Sequence, residues 1–289
     1  MDVLYYWRSD NYRQDRAFGF GYHLNQGSPL LSRLERGAHV WAFTRRARDG
    51  AYVLAADLVV GAVTANRAGY RYGRWRVWGD LERTRYFDVD HGPDAEPVLR
   101  SLTIRAASRH LGQSFQGYAA VRPLRPDDAA RLADFAAYLP MEPRVPIIYT
   151  EDQFEAAFLQ GGIDLVRHHM VRETAADLDV RQAYLYRPAR VARSQALARE
   201  LYQLYEGRCQ LCGMDPGKRL GAEISQAHHV VWLSRGGDDE LENLVLLCPN
   251  HHRSVHVVDA PLDYRGPAFL FPNGVREEVR INRHLPVAR

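Results

Sequence analysis

Two short motifs of equal spacing, CQLC at 209–212 and CPNH at 248–251, constrain the fold of this chain more than any other feature. Each places two metal-binding side chains two residues apart, which is the spacing of a zinc knuckle. They contain all three cysteines of the sequence, an odd number that argues against a disulfide framework. The pattern predicts a structural Zn²⁺ site with a standard tetrahedral set of ligands, namely Cys209, Cys212, Cys248 and His251.

Four further histidines lie around these motifs. His252 and His256 are four residues apart, so on a helix they share one face. His228 and His229 are adjacent in a strand-like AHHVV, so their side chains point to opposite faces. One of these two can therefore join His252 and His256 on a second metal ion, while its neighbour acts as a general base toward a water. The zinc knuckle would then be a scaffold for a segment too small to fold on its apolar core alone.

The stretch AHHVVWLSRGGDDELENLVLLCPNHHRSVH, preceded by CQLC, resembles an HNH endonuclease domain of the ββα-metal type over about residues 194–260. The resemblance implies metal-dependent hydrolysis of DNA phosphodiesters that leaves a 5′-phosphate and a 3′-hydroxyl. It implies Mg²⁺ or Mn²⁺ as the catalytic cation, with Co²⁺ and Ni²⁺ as further candidates. Since one such site cuts one strand, breakage of a duplex implies two encounters or a homodimer.

The same resemblance assigns a role to each remaining histidine. It makes His229 the general base, and Asn243 the residue that orients the hairpin and the base. It makes three residues the ligands of the catalytic cation, namely His228, His252 and His256. This chain has His251 where the family often has a cysteine. That departure leaves open which of His251 and His252 faces which metal.

The rest of the sequence predicts an α+β protein with three parts. Residues 1–140 form a mostly β, barrel-like domain, residues 141–192 a helical linker, and residues 193–289 the nuclease domain. Runs rich in Val, Tyr, Trp and Phe predict strands at 3–7, 39–44, 51–63, 73–79 and 117–121. Helices are expected at 28–37, at 126–139 and from Ser194 toward Cys209, and a hairpin at 268–282 around Asn273-Gly274.

Three stretches of the first domain, at 5–12, 27–46 and 52–64, together resemble the EVE branch of the PUA-like superfamily. The resemblance implies a reader that holds a modified base in an aromatic-lined pocket, with an SRA-type or sequence-only reader as the alternative. The expected pocket residues are Tyr6, Trp7, Ser9, Asn11 and Trp41. Joined to the nuclease domain, such a reader predicts a type IV-like, modification-dependent restriction endonuclease that reads modified cytosine in double-stranded DNA.

Charge gives partial support to a nucleic-acid partner. The net charge of the whole chain is only +3, and residues 1–140 carry a net +5. Residues 67–87 interleave six arginines with six aromatic residues. This pattern suits phosphate contacts and base stacking, and equally a solvated hairpin whose aromatics face the core. A non-catalytic zinc module that only binds nucleic acid is the rival function, and it leaves His228, His229, His252 and His256 without a role. The sequence has no secretion signal and no apolar run long enough to cross a membrane, so we expect a cytoplasmic protein.

Overall fold

The computed structural model describes residues 1–18, 20, 23–104, 108–117, 120–142, 188–218, 220–232 and 237–288. The chain divides into two compact units. The first consists of Met1–Val63 and Arg71–Pro146, and the second of Thr64–Tyr70 and Ile147–Arg289. A seven-residue segment from the first third of the sequence therefore belongs to the second unit.

Within the described residues, the first unit is built on a seven-stranded mixed sheet of order β2-β5-β4-β3-β1-β7, with β6 paired to β4. The strands are β1 Val3–Tyr6, β2 His23–Gln26, β3 His39–Arg45, β4 Tyr52–Ala65, β5 Trp75–Gly79, β6 Arg85–Tyr86 and β7 Val121–Pro123. The β1–β3 pair is parallel, whereas β1–β7, β3–β4 and β2–β5 are antiparallel. The first nine residues of β4 are all buried. A continuous apolar run such as YVLAADLVV is typical of a strand covered on both faces.

Three helices accompany this sheet among the described residues: α1 Ser9–Phe18, α2 Glu96–Ser101 and α3 Pro126–Ala136. Helix α3 begins as its sequence predicts, because a proline in the first turn lacks only an N–H that has no helical partner there. Leu99 of α2 and Leu132 of α3 are fully buried and pack in one cluster with Trp41 and Phe43 of the sheet. This apolar cluster is the core of the first unit.

The structure agrees with the predicted α+β class and corrects several details. Helix α1 was not predicted, because its sequence has no apolar stripe, although its Tyr12 side chain is buried. The helix expected at 28–37 is only a short 3₁₀ turn at Leu31–Arg33, although Gly37 ends the segment with a φ of 86°. The strand expected at 117–121 lies at Val121–Pro123. Residues 118 and 119 are outside the described residues.

The second unit contains helix α4 Pro188–Tyr205, the hairpin β8 Gln226–His229 and β9 Leu244–Leu247, and helix α5 Pro249–Val258. A three-stranded sheet of β10 Leu262–Asp263, β11 Ala268–Leu270 and β12 Arg276–Glu278 follows. Leu201 and Tyr205 of α4 pack against Leu244 and Leu246 of β9. This packing fixes α4, the helix that precedes Cys209, against the β8–β9 hairpin. No helix within the described residues has the length and apolar character needed to cross a membrane.

One expectation for this half of the chain differs from the structure, and a second lies mostly outside the described residues. Helix α4 begins at Pro188 rather than at Ser194, since proline is itself a good first residue of a helix. Most of the linker expected at 141–192 falls on residues 143–187, outside the described residues. The predicted hairpin around Asn273-Gly274 is present as β11 and β12, and Gly274 has the positive φ of 87° that such turns require.

Candidate metal centres

The first candidate metal site consists of Cys209, Cys212, Cys248 and His251. Their sulfur and imidazole nitrogen atoms all lie within 4.8 Å of one another. The Nδ1 atom of His251 lies 3.5 Å from Sγ of Cys209 and 3.2 Å from Sγ of Cys248. Cys209 follows α4 in a tight turn, in which the Gly213 N–H donates to its carbonyl. Cys248 directly precedes α5. The two halves of the set are therefore held by the two helices that flank the β8–β9 hairpin.

The chemistry of this group fits a zinc ion. A sulfur at ~2.3 Å and a nitrogen at ~2.0 Å from a tetrahedral Zn²⁺ lie roughly 3.5 Å apart, close to the observed separations. All three cysteines are free thiols. Burial raises the pKa of Cys209, and the neighbouring Cys248 raises it further. A bound cation would reverse that direction, because it favours the thiolate that coordinates it.

The second group consists of His228 on β8 and His252 and His256 on α5. Nε2 of His256 lies 3.0 Å from Nδ1 of His228 and 3.1 Å from Nε2 of His252. An imidazole nitrogen carries at most one proton, so Nε2 of His256 cannot donate to both neighbours. Two nitrogens bound at ~2.1 Å to one ion lie roughly 3.0–3.4 Å apart. The three atoms thus have the spacing of ligands to a single cation.

The protonation of this group also fits a cation. His228 is 1% exposed. Burial, followed by the nearby imidazoles of His256 and His252, holds the pKa of His228 well below its usual range. The ring is therefore neutral near pH 7, and its lone pair is available to a metal.

His229, the next residue on β8, lies beside this group and faces a carboxylate. Its Nε2 atom is 3.3 Å from Oδ1 of Asp239, and both side chains are largely buried. The strand geometry explains the separation from His228, because adjacent side chains of a strand point to opposite faces. The Asp239 carboxylate thus holds the His229 ring through Nε2.

Asn243 bonds through its side chain to the backbone of Val231, at the end of the β8 region, and of Asp238, next to Asp239. Its Nδ2 donates to the carbonyls of Val231 at 2.9 Å and of Asp238 at 2.8 Å, and its Oδ1 accepts from the Val231 N–H at 2.9 Å. Gly237 is required at the start of the segment that carries Asp239, since a Cβ there would lie 1.9 Å from the Val231 carbonyl oxygen. We call residues 237–243 the site loop. Its shape depends on one amide side chain and one glycine.

The five residues expected to form a base pocket are divided among three places in the first unit. Trp41 is buried in the core cluster, against which Tyr6 also packs. Trp7 contacts Tyr12 and Phe20, and its Nε1 donates to Asp15 at 2.9 Å. Ser9 and Asn11 lie on α1, and Asn11 is exposed. The aromatic cluster around Trp7 is therefore separate from the one that contains Trp41.

The aromatics of the arginine-rich stretch mostly face the protein interior. Trp75, Trp78, Tyr86 and Phe87 are buried, whereas Tyr72 is 45% exposed. Several arginines lie over the rings, namely Arg71 over Tyr72, Arg74 over Trp75, Arg76 over Trp78 and Arg85 over Phe87. Cation–π pairs of this kind account for the interleaved pattern without a nucleic acid.

Sequence reasoning missed two residues that hold the site. One is Asp239, and its signal was its position between the histidine pair and Asn243 in GGDDELEN. The other is Gln210, which is fully buried between the first two cysteines. Its Oε1 accepts from the Leu246 N–H at 2.7 Å and its Nε2 donates to the Ile281 carbonyl at 3.2 Å. Nothing in the spacing of CQLC distinguishes such an anchor from a spacer residue.

Two comparisons bear on this site. The family model of HNH endonucleases matches residues 209–257, the stretch that contains both groups of ligands. The type IV methyl-directed restriction enzyme EcoKMcrA of Escherichia coli strain K12 is 41% identical over 58 residues in the HNH region. That similarity covers 19% of this chain and 21% of the relative, so the match spans about a fifth of the length of each. Both comparisons therefore concern the stretch that holds the two groups of ligands, and they leave the rest of the chain unmatched.

Proposed function

We propose that this protein is a modification-dependent DNA endonuclease, which reads a modified cytosine with its first unit and hydrolyses phosphodiesters in its second. One observation carries the proposal. Nε2 of His256 lies 3.0 Å from an imidazole nitrogen of His228 and 3.1 Å from one of His252, in a stretch that also carries His229 and that matches HNH endonucleases. A rival zinc module that only binds nucleic acid gives this arrangement no role.

In this proposal His228, His252 and His256 hold the catalytic cation, which is Mg²⁺ or Mn²⁺, with Co²⁺ and Ni²⁺ as alternatives. When bound, the cation would neutralise charge that develops on the phosphate and on the 3′ oxygen. Cys209, Cys212, Cys248 and His251 hold a structural Zn²⁺. That site joins the ends of α4 and α5 and so keeps His252 and His256 facing the hairpin.

His229 acts as the general base. It takes a proton from the water that attacks phosphorus. As the new P–O bond forms, the bond from phosphorus to the 3′ oxygen breaks, so the water oxygen becomes part of a 5′-phosphate and the departing 3′ oxygen takes a proton from solvent to become a 3′-hydroxyl. The Asp239 carboxylate, 3.3 Å from Nε2 of His229, orients the ring and stabilises the imidazolium that forms. Asn243 acts through the loop rather than on the substrate, because hydrogen bonds from its side-chain amide hold Val231 and Asp238 in place.

The reading of a modified cytosine rests on the first unit and on similarity. Residues 1–140 carry a net charge of +5, which suits a polyanion. The partly exposed ring of Trp7, which packs on the buried rings of Tyr12 and Phe20, is the proposed surface for stacking an extruded base. The similar enzyme from E. coli is described as methyl-directed. Double-stranded DNA containing a modified cytosine is therefore the proposed substrate.

The test is digestion of matched duplexes that carry cytosine, 5-methylcytosine or 5-hydroxymethylcytosine. The protein is first freed of the cation of the histidine group while its zinc is retained, and single divalent cations are then returned. We expect cleavage of a modified duplex only when a cation is present. His229→Ala should cut at least ~10²-fold more slowly, which is the usual minimum loss on removal of a general base.

A control separates the proposed roles of the histidines. His229→Ala should keep the affinity for the catalytic cation, whereas His252→Ala should lose it. Cleavage of all three duplexes at one rate would disprove the reader, and a His229→Ala variant as fast as wild type would disprove the proposed base.

A further inference from the structure

Residues Thr64–Tyr70 follow the first-unit part of β4 in sequence, yet they belong to the second unit. Thr64, Ala65 and Asn66 are buried, with exposed fractions of 1%, 1% and 5%. Since buried polar residues such as Thr64 and Asn66 are rare on a passing linker, this segment is an integral part of the second unit. We call residues 64–67 the brace segment.

The brace segment is bound to the residues that follow α5. The Ala65 N–H donates to Oδ1 of Asp263 at 3.1 Å, and the Ala65 carbonyl accepts from the Tyr264 N–H at 3.3 Å. Asp263 is fully buried, and its charge is compensated by Arg265 at 2.8 Å and Arg276 at 3.4 Å. Buried, paired carboxylates of this kind impose one geometry on the groups they bind.

Arg67 of the brace segment and Tyr264, which is bonded to that segment, both contact the site loop. The Nη1 and Nη2 atoms of Arg67 lie 3.3 and 3.2 Å from Oε2 of Glu240, and Nη2 is 3.9 Å from Oδ2 of Asp238. The hydroxyl of Tyr264, whose backbone is bonded to Ala65, donates to the Glu242 carbonyl at 3.0 Å. Arg67 and Tyr264 thus contact residues on both sides of Asp239 and next to Asn243.

We propose that Arg67 is a positioning residue for the nuclease site, acting through Glu240 and Asp238 on the loop that aligns Asp239 with His229. The proposal rests on the proposed function, because it concerns the same general base. Arg67 touches neither His229 nor the three clustered imidazoles. Its guanidinium lies between the carboxylates of Asp238 and Glu240 and reduces their mutual repulsion, which favours the loop conformation that presents Asp239 to His229.

Magnitudes separate this role from a structural one. An ion pair as exposed as Arg67–Glu240, with exposed fractions of 27% and 44%, contributes little to folding. The variants should therefore fold and keep both metals. A small displacement of an acid–base group, in contrast, can cost up to ~10²-fold in rate. The effect of Arg67 should appear in kcat and in the dynamics of the site loop rather than in Tm.

The experiment uses the full chain with Arg67→Ala, Glu240→Ala and the charge exchange Arg67→Glu/Glu240→Arg. We expect kcat to fall about 10-fold in each single variant with KM for DNA unchanged, and the charge exchange to recover most of that loss. Amide hydrogen exchange of residues 237–243 should be faster in both single variants. Arg208→Ala removes an exposed partner of Glu206 elsewhere in this unit, and it should change neither kcat nor the hydrogen exchange of the site loop.

Two results would overturn the proposal. If Arg67→Ala raises KM while Glu240→Ala is normal, Arg67 contacts DNA phosphate instead of the loop. If site-loop exchange is unchanged in both single variants, Arg67 does not order the loop, whatever the nuclease activity. A wild-type protein that cuts no DNA would remove the proposed function, and the exchange measurement would still decide the role of Arg67.

Discussion

The half-buried His39 forms an ion pair with the buried Asp57 in the first unit, and this pair makes the free energy of unfolding depend on pH. Its Nδ1 lies 2.6 Å from Oδ1 of Asp57, whose Oδ2 also binds Arg85 at 2.9 Å. The hydrogen bond to Asp57 is the largest cause that raises the pKa of His39, and Asp2 adds to it, while burial and Arg83 act against it. A protonated His39 is therefore favoured in the folded state.

The sign of the effect follows from linkage. A histidine with a raised folded pKa contributes stability that is fully present below its unfolded pKa of ~6.5 and is lost as the pH rises through the folded value. We expect wild type to be more stable than His39→Gln. The difference in stability should be largest at pH 6 and should shrink toward pH 9. Thermal melting across this range measures it. His91→Gln, which removes an exposed histidine beside Asp88, controls for the loss of a histidine as such. A difference that does not vary with pH would contradict the assignment.

At the scale of elements, the stability of the second unit depends on how α4, the β8–β9 hairpin and α5 are joined. The thiols of Cys209 and Cys248 stand at the end of α4 and the start of α5. We expect Cys209→Ser and Cys248→Ser each to unfold this unit, because structural zinc contributes directly to the free energy of folding. Metal analysis with thermal melting measures this. His252→Ala removes a ligand of the other group and should leave zinc content and folding intact. A cysteine variant that loses zinc but melts like wild type would show that the site is not structural.

The sequence predicted elements well where the chemistry is local. Strands β1, β3, β4 and β5, helix α3 and the β11–β12 hairpin follow from runs of apolar residues and from turn residues such as Asn273 and Gly274, whereas strands β2 and β6 were not predicted. The grouping of His252 with His256 follows from helical spacing. Helix α1 could not be predicted in this way, because its sequence is polar and has no apolar stripe, and Tyr12 packs on Trp7 and Phe20, which lie just outside the helix.

The candidate site was predictable in its ligands and not in its supports. Cysteines and histidines have few other roles at such spacing, so their types identify them. Asp239, Gln210 and Arg67 are ordinary surface-type residues whose importance comes from what they contact. The division of the expected pocket between Trp7 and Trp41 likewise depends on pairing in the sheet, which composition does not specify.

At the scale of the whole molecule, binding and cutting should be separable. The catalytically inactive full chain, His229→Ala, should bind a duplex containing 5-methylcytosine more tightly than the unmodified duplex. One methyl group in an apolar pocket gives roughly a 10- to 200-fold preference. Affinity for both duplexes should fall with salt, because arginine contacts to phosphate release counterions. Titrations at two salt concentrations measure both effects.

The ratio of the two affinities should stay nearly constant with salt, since phosphate contacts are common to both duplexes. Trp7→Ala should reduce that ratio, and Tyr138→Ala, which removes a side chain that is 94% exposed in the same unit, should not. Equal affinity for the two duplexes would show that 5-methylcytosine is not the signal.

The brace segment has a practical consequence for attempts to recombine the protein. A designer who grafts residues 188–289 onto another DNA-binding module would leave behind Ala65, which bonds to Asp263 and Tyr264, and Arg67, which pairs with Glu240. The second unit is discontinuous in sequence, so a single crossover cannot transfer it whole. Chimaeras therefore need residues 64–70 to be carried along or rebuilt, because a single junction would remove a partner of the buried Asp263 and the ion pair with Glu240.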